Sequence, residues 1–217
     1  MVRLYIDNWE IQAEEGISVL QAALDSGFYI PNLCWVRELP HPPASCRLCF
    51  VEIKGLDKPV TSCTTPVKND MEVFTDTETV RELQRTSLKL LLSAHHVDCG
   101  HCPANKKCEL QNLAKFLKVK LKPAELPAYV PTGIIDTSHP LLNYNRDRCV
   151  LCGRCVNTCR TRKGRPMFTF SGRGGHTVVI PLPPPPDEPL DEAACLACVD
   201  VCPTGALTRK DEGQQPG

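Results

Sequence analysis

The sequence has no excess of either charge, no long apolar run and few aromatic residues. Its 25 Lys and Arg balance 25 Asp and Glu, and the formal net charge of +0 argues against a nucleic-acid partner. No stretch is apolar enough to cross a bilayer, so no membrane span is predicted. Aromatic residues make up 6% of the chain, and small domains with modest cores usually need cross-links or bound metals.

The N-terminal segment also lacks the features of a secretory signal peptide. Met1 to Asp7 does not contain a basic region followed by an apolar one. We therefore expect a cytoplasmic protein, in which cysteines stay reduced. Cysteine is the residue that is plentiful, with 14 copies among 217 residues. In a reducing compartment, grouped cysteines indicate metal binding rather than a disulfide framework.

Two cysteine runs lie near the C-terminus. Cys149 to Cys159 has the spacing C-x2-C-x2-C-x3-C, and Cys195 to Pro203 has the spacing C-x2-C-x3-C-P. Three thiolates two residues apart wrap one tight turn and can converge on one iron–sulfur cube. In bacterial ferredoxins the fourth thiolate, a helical turn away, ligates the other cluster of a pair. A zinc ribbon also uses C-x2-C pairs, but it needs only four ligands, so the two runs favour [4Fe–4S] binding.

Residues 1–77 show the pattern of a small α+β domain. Alternating apolar residues predict strands at Val2 to Ile6 and Glu10 to Ala13, with a hairpin turn at Asp7-Asn8. A helix over Val19 to Leu24 is predicted next, capped by Ser18. This order of strands, helix and further strands is that of a β-grasp fold. The further strands are predicted at Leu48 to Ile53, Val60 to Cys63 and Met71 to Phe74.

Four cysteines of this domain have the spacing C-x11-C-x2-C-x13-C. They are Cys34, Cys46, Cys49 and Cys63. Plant-type [2Fe–2S] sites use C-x4-C-x2-C and a distant fourth cysteine, so only the first gap differs. The alternative is four buried structural thiols, but the loop around the close pair is polar. The spacing therefore predicts a [2Fe–2S] cluster.

Residues 78–147 form a middle section that begins with a predicted helix over Glu78 to Ala94. A pattern of the form H-x3-C-x2-C-x5-C follows, and its members are His95, Cys99, Cys102 and Cys108. Three thiolates are one ligand short of a cube, and a neutral imidazole is a competent fourth ligand. The pattern predicts a [4Fe–4S] cluster. A zinc site of the same residues and solvated histidines are the alternatives, and His96 and His101 are weaker ligand candidates.

The last part divides into a ferredoxin-type domain at residues 148–209 and a polar tail at 210–217. Between the two cysteine runs, Pro181 to Pro186 is rich in proline and predicts a stiff polyproline connection. The whole chain is therefore expected to be α+β. Its expected parts are a β-grasp [2Fe–2S] domain, a helical cluster segment with one His and three Cys ligands, and a bacterial ferredoxin-like cluster domain.

These motifs in this order resemble the small diaphorase subunits of bidirectional NAD-reducing [NiFe] hydrogenases. They also resemble the N-terminal part of the large iron–sulfur subunit of respiratory complex I, and the front ends of [FeFe] hydrogenases and NAD-dependent formate dehydrogenases. The resemblance spans roughly residues 2–210. It is carried by Ile30 to Cys34, Cys46 to Cys49, the His95 pattern with Glu109-Leu110-Gln111 after it, and the two terminal cysteine runs.

The resemblance implies an electron-transfer subunit without catalytic residues of its own. In that family a flavoprotein subunit with NAD(P) and FMN exchanges electrons, through iron–sulfur clusters, with catalytic subunits of a hydrogenase or formate dehydrogenase. The chain itself has no dinucleotide fingerprint, because Gly172-x-Gly174-Gly175 lacks the required spacing. A regulatory or assembly protein and a diffusing ferredoxin are the rival interpretations. Diffusing ferredoxins tend to be small and strongly acidic, and this chain is neutral.

The resemblance also implies which cysteines share a cluster in the last domain. The family's crossed pattern assigns Cys149, Cys152, Cys155 and Cys202 to one [4Fe–4S] cluster. It leaves Cys159, Cys195 and Cys198 for another, and Glu192 stands where the family has a fourth cysteine. That site is expected to hold a [3Fe–4S] cluster, to hold a [4Fe–4S] cluster with Glu192 or another ligand, or to be empty. We favour occupancy, so one [2Fe–2S] and two to three cubane clusters are expected.

Overall fold

The structure is a computed structural model, and it describes residues 1–39, 41–127, 130–163, 166–182 and 192–211. The chain divides into two compact units. The first unit comprises Met1–Leu90 and Leu113–Val119, and the second comprises Leu91–Asn112 and Lys120–Gly217.

A five-stranded mixed sheet forms the centre of the first unit. Its strands are β1 (Val2–Ile6), β2 (Trp9–Ala13), β3 (Phe50–Ile53), β4 (Val60–Thr61) and β5 (Met71–Phe74). Their order in the sheet is β2-β1-β5-β3-β4. Strand β1 is antiparallel to β2 and parallel to β5, and β3 is antiparallel to β4 and β5. This arrangement confirms the predicted β-grasp fold.

The turn between β1 and β2 explains why the sequence has Asp7-Asn8 there. Both residues adopt left-handed backbone conformations, with φ of 47° and 71°, which Asp and Asn tolerate better than most residues. The Asp7 carboxylate also accepts hydrogen bonds from the backbone N–H and the hydroxyl of Thr75, at 2.8 and 2.5 Å. The turn is thereby joined to the end of β5.

Helix α1 (Val19–Asp25) packs on the sheet and directs the chain to the first predicted ligand. Ser18 caps it by accepting the Gln21 N–H at 3.2 Å, as predicted. Its buried residues are Val19, Leu20, Ala22 and Ala23. After the helix, Ile30 and Leu33 are fully buried, and they fix the segment that ends at Cys34.

Two longer helices follow the sheet, α2 (Glu78–Ser93) and α3 (Glu109–Leu117). Within the first unit, the buried Gln84 donates its side-chain N–H to the Phe50 carbonyl at 3.1 Å. Arg85 donates to the Leu117 carbonyl at 3.1 Å and so satisfies an acceptor at the end of α3.

The second unit contains a small sheet, a hairpin and two short helices. Its elements are β6 (Ile135–Asp136), β7 (Leu142–Asn145), α4 (Arg154–Lys163), β8 (Phe168–Ser171), β9 (Val178–Pro181), α5 (Glu192–Asp200) and β10 (Leu207–Arg209). Strands β10, β7 and β6 form an antiparallel sheet in that order, and β8 pairs with β9. Helices α4 and α5 pack on each other. Their shared core includes cysteines as well as Leu142 and Phe168.

Most of the predicted elements of residues 1–120 occur within a few residues of their expected bounds, and the α+β class is confirmed. The predicted domain boundaries at 77 and 147 stay predictions. Residues 183–186 of the proline run and 212–217 of the tail lie outside the described residues. In the part of the chain that is described, no helix has the length and apolarity needed to cross a membrane.

Candidate iron–sulfur centres

The first ligand set, Cys34, Cys46, Cys49 and Cys63, is almost completely buried. Each of these cysteines is between 1% and 3% exposed. Cys34 lies in the loop after α1, and Cys46 and Cys49 lie in the loop before β3. Cys63 lies in a single 3-10 turn, Ser62–Thr64, directly after β4. Loops at one end of the β-grasp core thus bring together the four residues that were predicted to bind [2Fe–2S].

The four thiols of this set interact as two pairs. A hydrogen bond with Cys46 lowers the pKa of Cys34 to about 6, and a hydrogen bond with Cys63 lowers the pKa of Cys49 to about 7. The pKa values of the two partners are raised, first by the same hydrogen bonds and then by burial. The charge on Cys34 also acts on Cys49 across the pairs. Each pair thus favours one thiolate beside one thiol, and a cationic iron centre would favour the thiolate form of all four.

The loop that contains Cys46 and Cys49 turns its backbone toward the sulfurs. Ala44 and Arg47 both adopt left-handed conformations, with φ of 50° and 55°, which cost energy for residues with side chains. Backbone N–H groups then reach the sulfurs: that of Leu48 lowers the pKa of Cys46, and that of Ser45 contributes to the lowered pKa of Cys34. The strained backbone conformations of this loop therefore accompany N–H groups that stabilise the negative charge of the ligand thiolates.

The second ligand set, His95, Cys99, Cys102 and Cys108, lines one small cavity. Burial lowers the pKa of His95 to about 4, so its imidazole is neutral at physiological pH. The ring hydrogen-bonds to the backbone of Arg148, an interaction that raises its pKa and in which the ring is therefore the donor. Its Nδ1 is buried and has no hydrogen-bond partner among the described residues. A neutral imidazole has one ring nitrogen that carries no proton, so this buried ring at the wall of the cavity fits a metal ligand.

The two neighbouring histidines are placed differently. His101 lies 3.0 Å from the Asp98 carboxylate, and its side chain is 74% exposed. His96 lines the same cavity as His95, and its backbone N–H donates to the Asp147 carbonyl at 2.8 Å. His95 is the only one of the three with the orphaned, buried ring nitrogen described above, among the residues the structure describes.

Gly205 packs directly against a ligand of this second set. A Cβ atom at Gly205 would lie 2.7 Å from the Cys102 sulfur, closer than real Cβ atoms approach. The Pro203 carbonyl accepts the Glu109 N–H at 3.0 Å. Because Gly205 follows Cys202 by three residues, the segment after Cys202 forms one wall of the second set.

The third ligand set, Cys149, Cys152, Cys155 and Cys202, forms one electrostatic group. Burial raises the pKa of the first three thiols, and the charge of Cys202 raises each of them further. Leu151 and Gly153 have φ of 52° and 77°, which wraps the loop around the group. The Leu151 N–H donates to the Cys149 sulfur at 3.4 Å. The structure therefore brings Cys202 to the three cysteines with which the crossed pattern groups it.

The Tyr144 hydroxyl lies beside this third set. It is buried, finds no hydrogen-bond partner of good geometry among the described residues, and interacts with Cys149 closely enough to lower the pKa of that thiol. An orphaned buried O–H is costly unless an acceptor satisfies it. The sulfur atoms of a bound cluster would satisfy it, so the site fits the group.

The fourth ligand set, Cys159, Cys195 and Cys198, lies in the core between α4 and α5. All three are at most 1% exposed, and the sulfurs of Cys159 and Cys198 are 2.9 Å apart. The Cys198 sulfur also lies 3.8 Å from the Cys155 carbonyl, so the third and fourth sets adjoin. Glu192, the predicted candidate for the missing ligand, is the exposed first residue of α5. Its role stays a prediction.

His139 is the residue near this set that the sequence analysis missed. Its Nε2 lies 3.8 Å from the Cys195 sulfur, and Met167 Sδ lies 3.7 Å from the same sulfur. The separation of 56 residues between His139 and Cys195 carries no spacing signal.

No three His, Cys, Asp or Glu side chains of the described residues form a group that could hold a single metal ion.

Comparison with known families covers most of the chain. Residues 1–78 match a 2Fe-2S iron-sulfur cluster binding domain, and residues 84–122 match an NADH-ubiquinone oxidoreductase-G iron-sulfur binding region. Residues 139–208 match the ferredoxin-like domain of NADH-quinone oxidoreductase subunit 3. The second match favours iron–sulfur over zinc for the His95 set.

A solved structure matches the chain along its whole length. It is a chain of an NAD+-reducing [NiFe]-hydrogenase in the H2-reduced state, with 31% identity and a TM-score of 0.85. The match covers 100% of this chain and 90% of that one. The chain belongs to the family of iron–sulfur subunits of NAD-linked hydrogenases and respiratory complex I. As a member it is an iron–sulfur electron-transfer subunit, with one [2Fe–2S] domain and [4Fe–4S] regions.

Curated relatives of this family are longer than the chain. The NADPH-Fe(3+) oxidoreductase subunit alpha of Geobacter sulfurreducens is 34% identical over 210 residues, which are 97% of this chain and 24% of that protein. The NADP-reducing hydrogenase subunit HndD of Solidesulfovibrio fructosivorans is 34% identical over 221 residues, 97% of this chain and 36% of that protein. The chain thus spans about a quarter to a third of these relatives.

Proposed function

We propose that the chain passes single electrons between a flavoprotein that binds NAD(P) and FMN and a catalytic hydrogenase subunit, in a cytoplasmic complex. The observation that carries this proposal is the end-to-end match with a chain of an NAD+-reducing [NiFe]-hydrogenase. The match to NADP-reducing hydrogenase subunit HndD favours a hydrogenase partner and leaves the nucleotide open between NAD and NADP.

The proposed ligands are the four sets described above. Set one holds [2Fe–2S], and sets two and three each hold [4Fe–4S]. For set four, with three thiolates, a [3Fe–4S] cluster, or a [4Fe–4S] cluster whose last ligand is Glu192 or a group outside the set, stays a prediction, because the Cys159 and Cys198 sulfurs lie 2.9 Å apart and leave no room between them for cluster iron. When bound, the clusters supply one-electron oxidation and reduction at potentials that depend on cluster type, charge, hydrogen bonds to sulfur and exposure.

The second, third and fourth ligand sets lie next to one another, which supports a role in electron transfer. Gly205 joins the third set to the second, because it touches Cys102 and lies three residues after Cys202. The Cys155 carbonyl joins the third set to the fourth, because it contacts the Cys198 sulfur. Short protein-filled gaps between neighbouring ligand sets are what electron tunnelling requires.

Arg154 holds the second and third sets together. Its guanidinium donates to both oxygens of the Glu109 carboxylate, at 2.5 and 2.9 Å, and Arg154 is only 8% exposed. Glu109 directly follows Cys108, and Arg154 directly precedes Cys155. The bidentate geometry of this buried pair connects the segments that carry Cys108 and Cys155.

The test is co-purification of the tagged chain from its native host. We expect a flavoprotein with FMN and a nickel-containing subunit to accompany it, and we expect the chain alone to contain iron and acid-labile sulfide but to oxidise no NAD(P)H. Molybdenum or tungsten in place of nickel would indicate a formate dehydrogenase partner. Diaphorase activity of the isolated chain, or a chain without labile sulfide, would contradict the proposal.

A further inference from the structure

We infer that Arg154 raises the reduction potential of the third cluster: its buried Nε–H donates a hydrogen bond to a sulfur atom of that cluster, and its charge favours the reduced form. The inference rests on the proposed function, because it requires a cluster at the third ligand set. It goes beyond the connecting role of the Arg154–Glu109 pair, because it gives the guanidinium an effect on the cluster itself.

The Arg154 guanidinium is held in place by groups on two other segments. Its Nη1 donates to the Glu109 carboxylate at 2.5 Å and to the Val201 carbonyl at 3.4 Å, and its Nη2 donates to the other Glu109 oxygen at 2.9 Å. Arg154 directly precedes Cys155, and Val201 directly precedes Cys202. The guanidinium therefore lies between two segments that carry ligands of the third set.

One donor of this guanidinium has no acceptor in the protein. Both Nη atoms face the Glu109 carboxylate, so the Nε–H group, on the opposite side of the guanidinium carbon, cannot share it. Nε is buried and has no hydrogen-bond partner among the described residues, and Arg154 as a whole is 8% exposed. An unsatisfied buried donor destabilises the folded state, and a sulfur atom of a bound cluster would satisfy it.

The third set is the ligand set that this donor serves. Arg154 stands in the sequence between two of its ligands, Cys152 and Cys155. Burial raises the pKa of the Cys152 thiol, whereas the Arg154 backbone N–H and the Arg154 charge both act to lower it. Arg154 therefore already interacts with a ligand of this set in the folded chain, in addition to the contacts that position its guanidinium.

The charges of Arg154 and Glu109 do not cancel at the cluster. A guanidinium stays protonated in proteins, and the Arg154 side chain is 10% exposed, whereas the Glu109 side chain is 39% exposed. Water therefore screens the carboxylate more strongly than the buried cation. A nearby cation favours the reduced cluster, which carries one more negative charge, and an N–H group donated to sulfur acts in the same direction. Both effects raise the potential.

The test compares two opposite substitutions in the full chain with its clusters assembled. Arg154→Gln removes the cation and leaves the carboxylate, so the third cluster should titrate at a more negative potential than in the wild type. Glu109→Gln leaves the cation without its partner, so the same cluster should titrate at a more positive potential. A redox titration followed by electron paramagnetic resonance measures both shifts, and iron analysis should give the wild-type content. Loss of a merely structural contact would not move the potential in opposite directions.

A second measurement separates the hydrogen bond from the charge. In wild-type protein labelled with ¹⁵N at arginine Nε alone, pulsed electron paramagnetic resonance should show a weak nitrogen coupling at the third cluster. Arg154→Lys keeps the positive charge but has no N–H group at the Nε position, so this coupling should disappear, and the potential should lie between those of the wild type and Arg154→Gln. The wild-type measurement needs no substitution, so it decides the question even if a variant fails to fold.

Arg148→Gln is the matched control. Arg148 also directly precedes a ligand of the third set, Cys149, but its guanidinium donates to the His101 carbonyl at 2.7 Å. The substitution should shift the potential of the third cluster less than Arg154→Gln does, and it should leave the nitrogen coupling in place.

Three outcomes would overturn the inference while the proposed electron-transfer function stands. They are equal shifts in Arg154→Gln and Arg148→Gln, shifts of the same sign in Arg154→Gln and Glu109→Gln, and a labelled wild type without the nitrogen coupling. A wild-type chain that assembles no cluster at the third set would instead overturn both the inference and the ligand assignment on which the proposed function depends.

Discussion

The two units of the chain differ in how much of their cores consists of cysteine. In the first unit two ligand cysteines, Cys49 and Cys63, belong to a core that otherwise consists of apolar residues such as Leu4, Ile6 and Leu20. In the second unit Cys159, Cys195 and Cys198 are themselves core residues, and Cys149, Cys155 and Cys202 pack against that core. Ligand cysteines therefore contribute a larger part of the packing in the second unit than in the first.

This difference indicates where the metal contributes to folding. Burying a Leu or Ile side chain contributes roughly 1.5–3 kcal/mol, so the sheet and α1 of the first unit have their own source of stability. Thiols packed closely in a core repel one another once they are deprotonated, and iron removes that repulsion. Where a site forms only in the folded state, the free energy of metal binding is also free energy of folding.

The largest expected effect is therefore that of removing the clusters. After treatment with a chelator and an oxidant, followed by a thiol reductant, we expect amide hydrogens of β1, β2 and β5 to stay protected from exchange. Amides of α4, α5 and β7 should lose protection, because their core is built on ligand cysteines. Hydrogen exchange with mass spectrometry measures both in one sample. Equal loss of protection in both units would show that the comparison is wrong.

A second prediction concerns one ligand of the second unit. His95→Ala should remove or convert the cluster of the second set, because the ring is the proposed fourth ligand and its Nδ1 is buried without a partner in the described structure. His95→Cys should retain a cube at a lower potential, since added thiolate charge stabilises the oxidised form.

Iron analysis and electron paramagnetic resonance give the readout for both substitutions. His101→Ala is the matched control, because that side chain is exposed and paired with Asp98. If His101→Ala, and not His95→Ala, loses the signal, the ligand has been assigned to the wrong histidine.

The two units also differ in how many of their functional residues can be predicted from the sequence. Ligands of the first three sets lie in short patterns or follow from the family's crossed arrangement, and the alternation in β1 and β2 gave their strands directly. His139 and Gly205 could not be found in this way. Their importance comes from contacts with Cys195 and Cys102, which are distant in sequence and close only after folding. Spacing rules describe local turns, so they do not register such contacts.

A third prediction tests the wall between the second and third sets. Gly205→Ala should shift the potential or lower the occupancy of the second cluster, because the added Cβ would lie 2.7 Å from the Cys102 sulfur. Gly175→Ala, where no atom lies within 4 Å of the added Cβ, is the matched control. Spectra of the second and third clusters in each variant check this. If the two substitutions behave alike, Gly205 does not determine the geometry of the second set.

The smallest effect is expected at Glu192. A substitution there tests whether this residue completes the fourth ligand set in the core of the second unit. Glu192 precedes Cys195 by three residues on α5, so the two side chains are neighbours along the helix, although Glu192 is exposed. A carboxylate is a harder and weaker ligand for cluster iron than a thiolate. An iron atom held there should be lost on oxidation, and air-oxidised wild-type protein should show a [3Fe–4S] signal.

Glu192→Cys should abolish that signal and give a stable cube at a more negative potential, because thiolate donates more charge to iron. Glu192→Gln serves as the control, since it removes the carboxylate without supplying a thiolate and should leave the [3Fe–4S] signal in place. If wild-type protein never shows the signal and Glu192→Cys changes nothing, the missing ligand does not come from position 192. The assignment of Cys159 to the fourth set, where its sulfur lies 2.9 Å from that of Cys198, would then have to be revised.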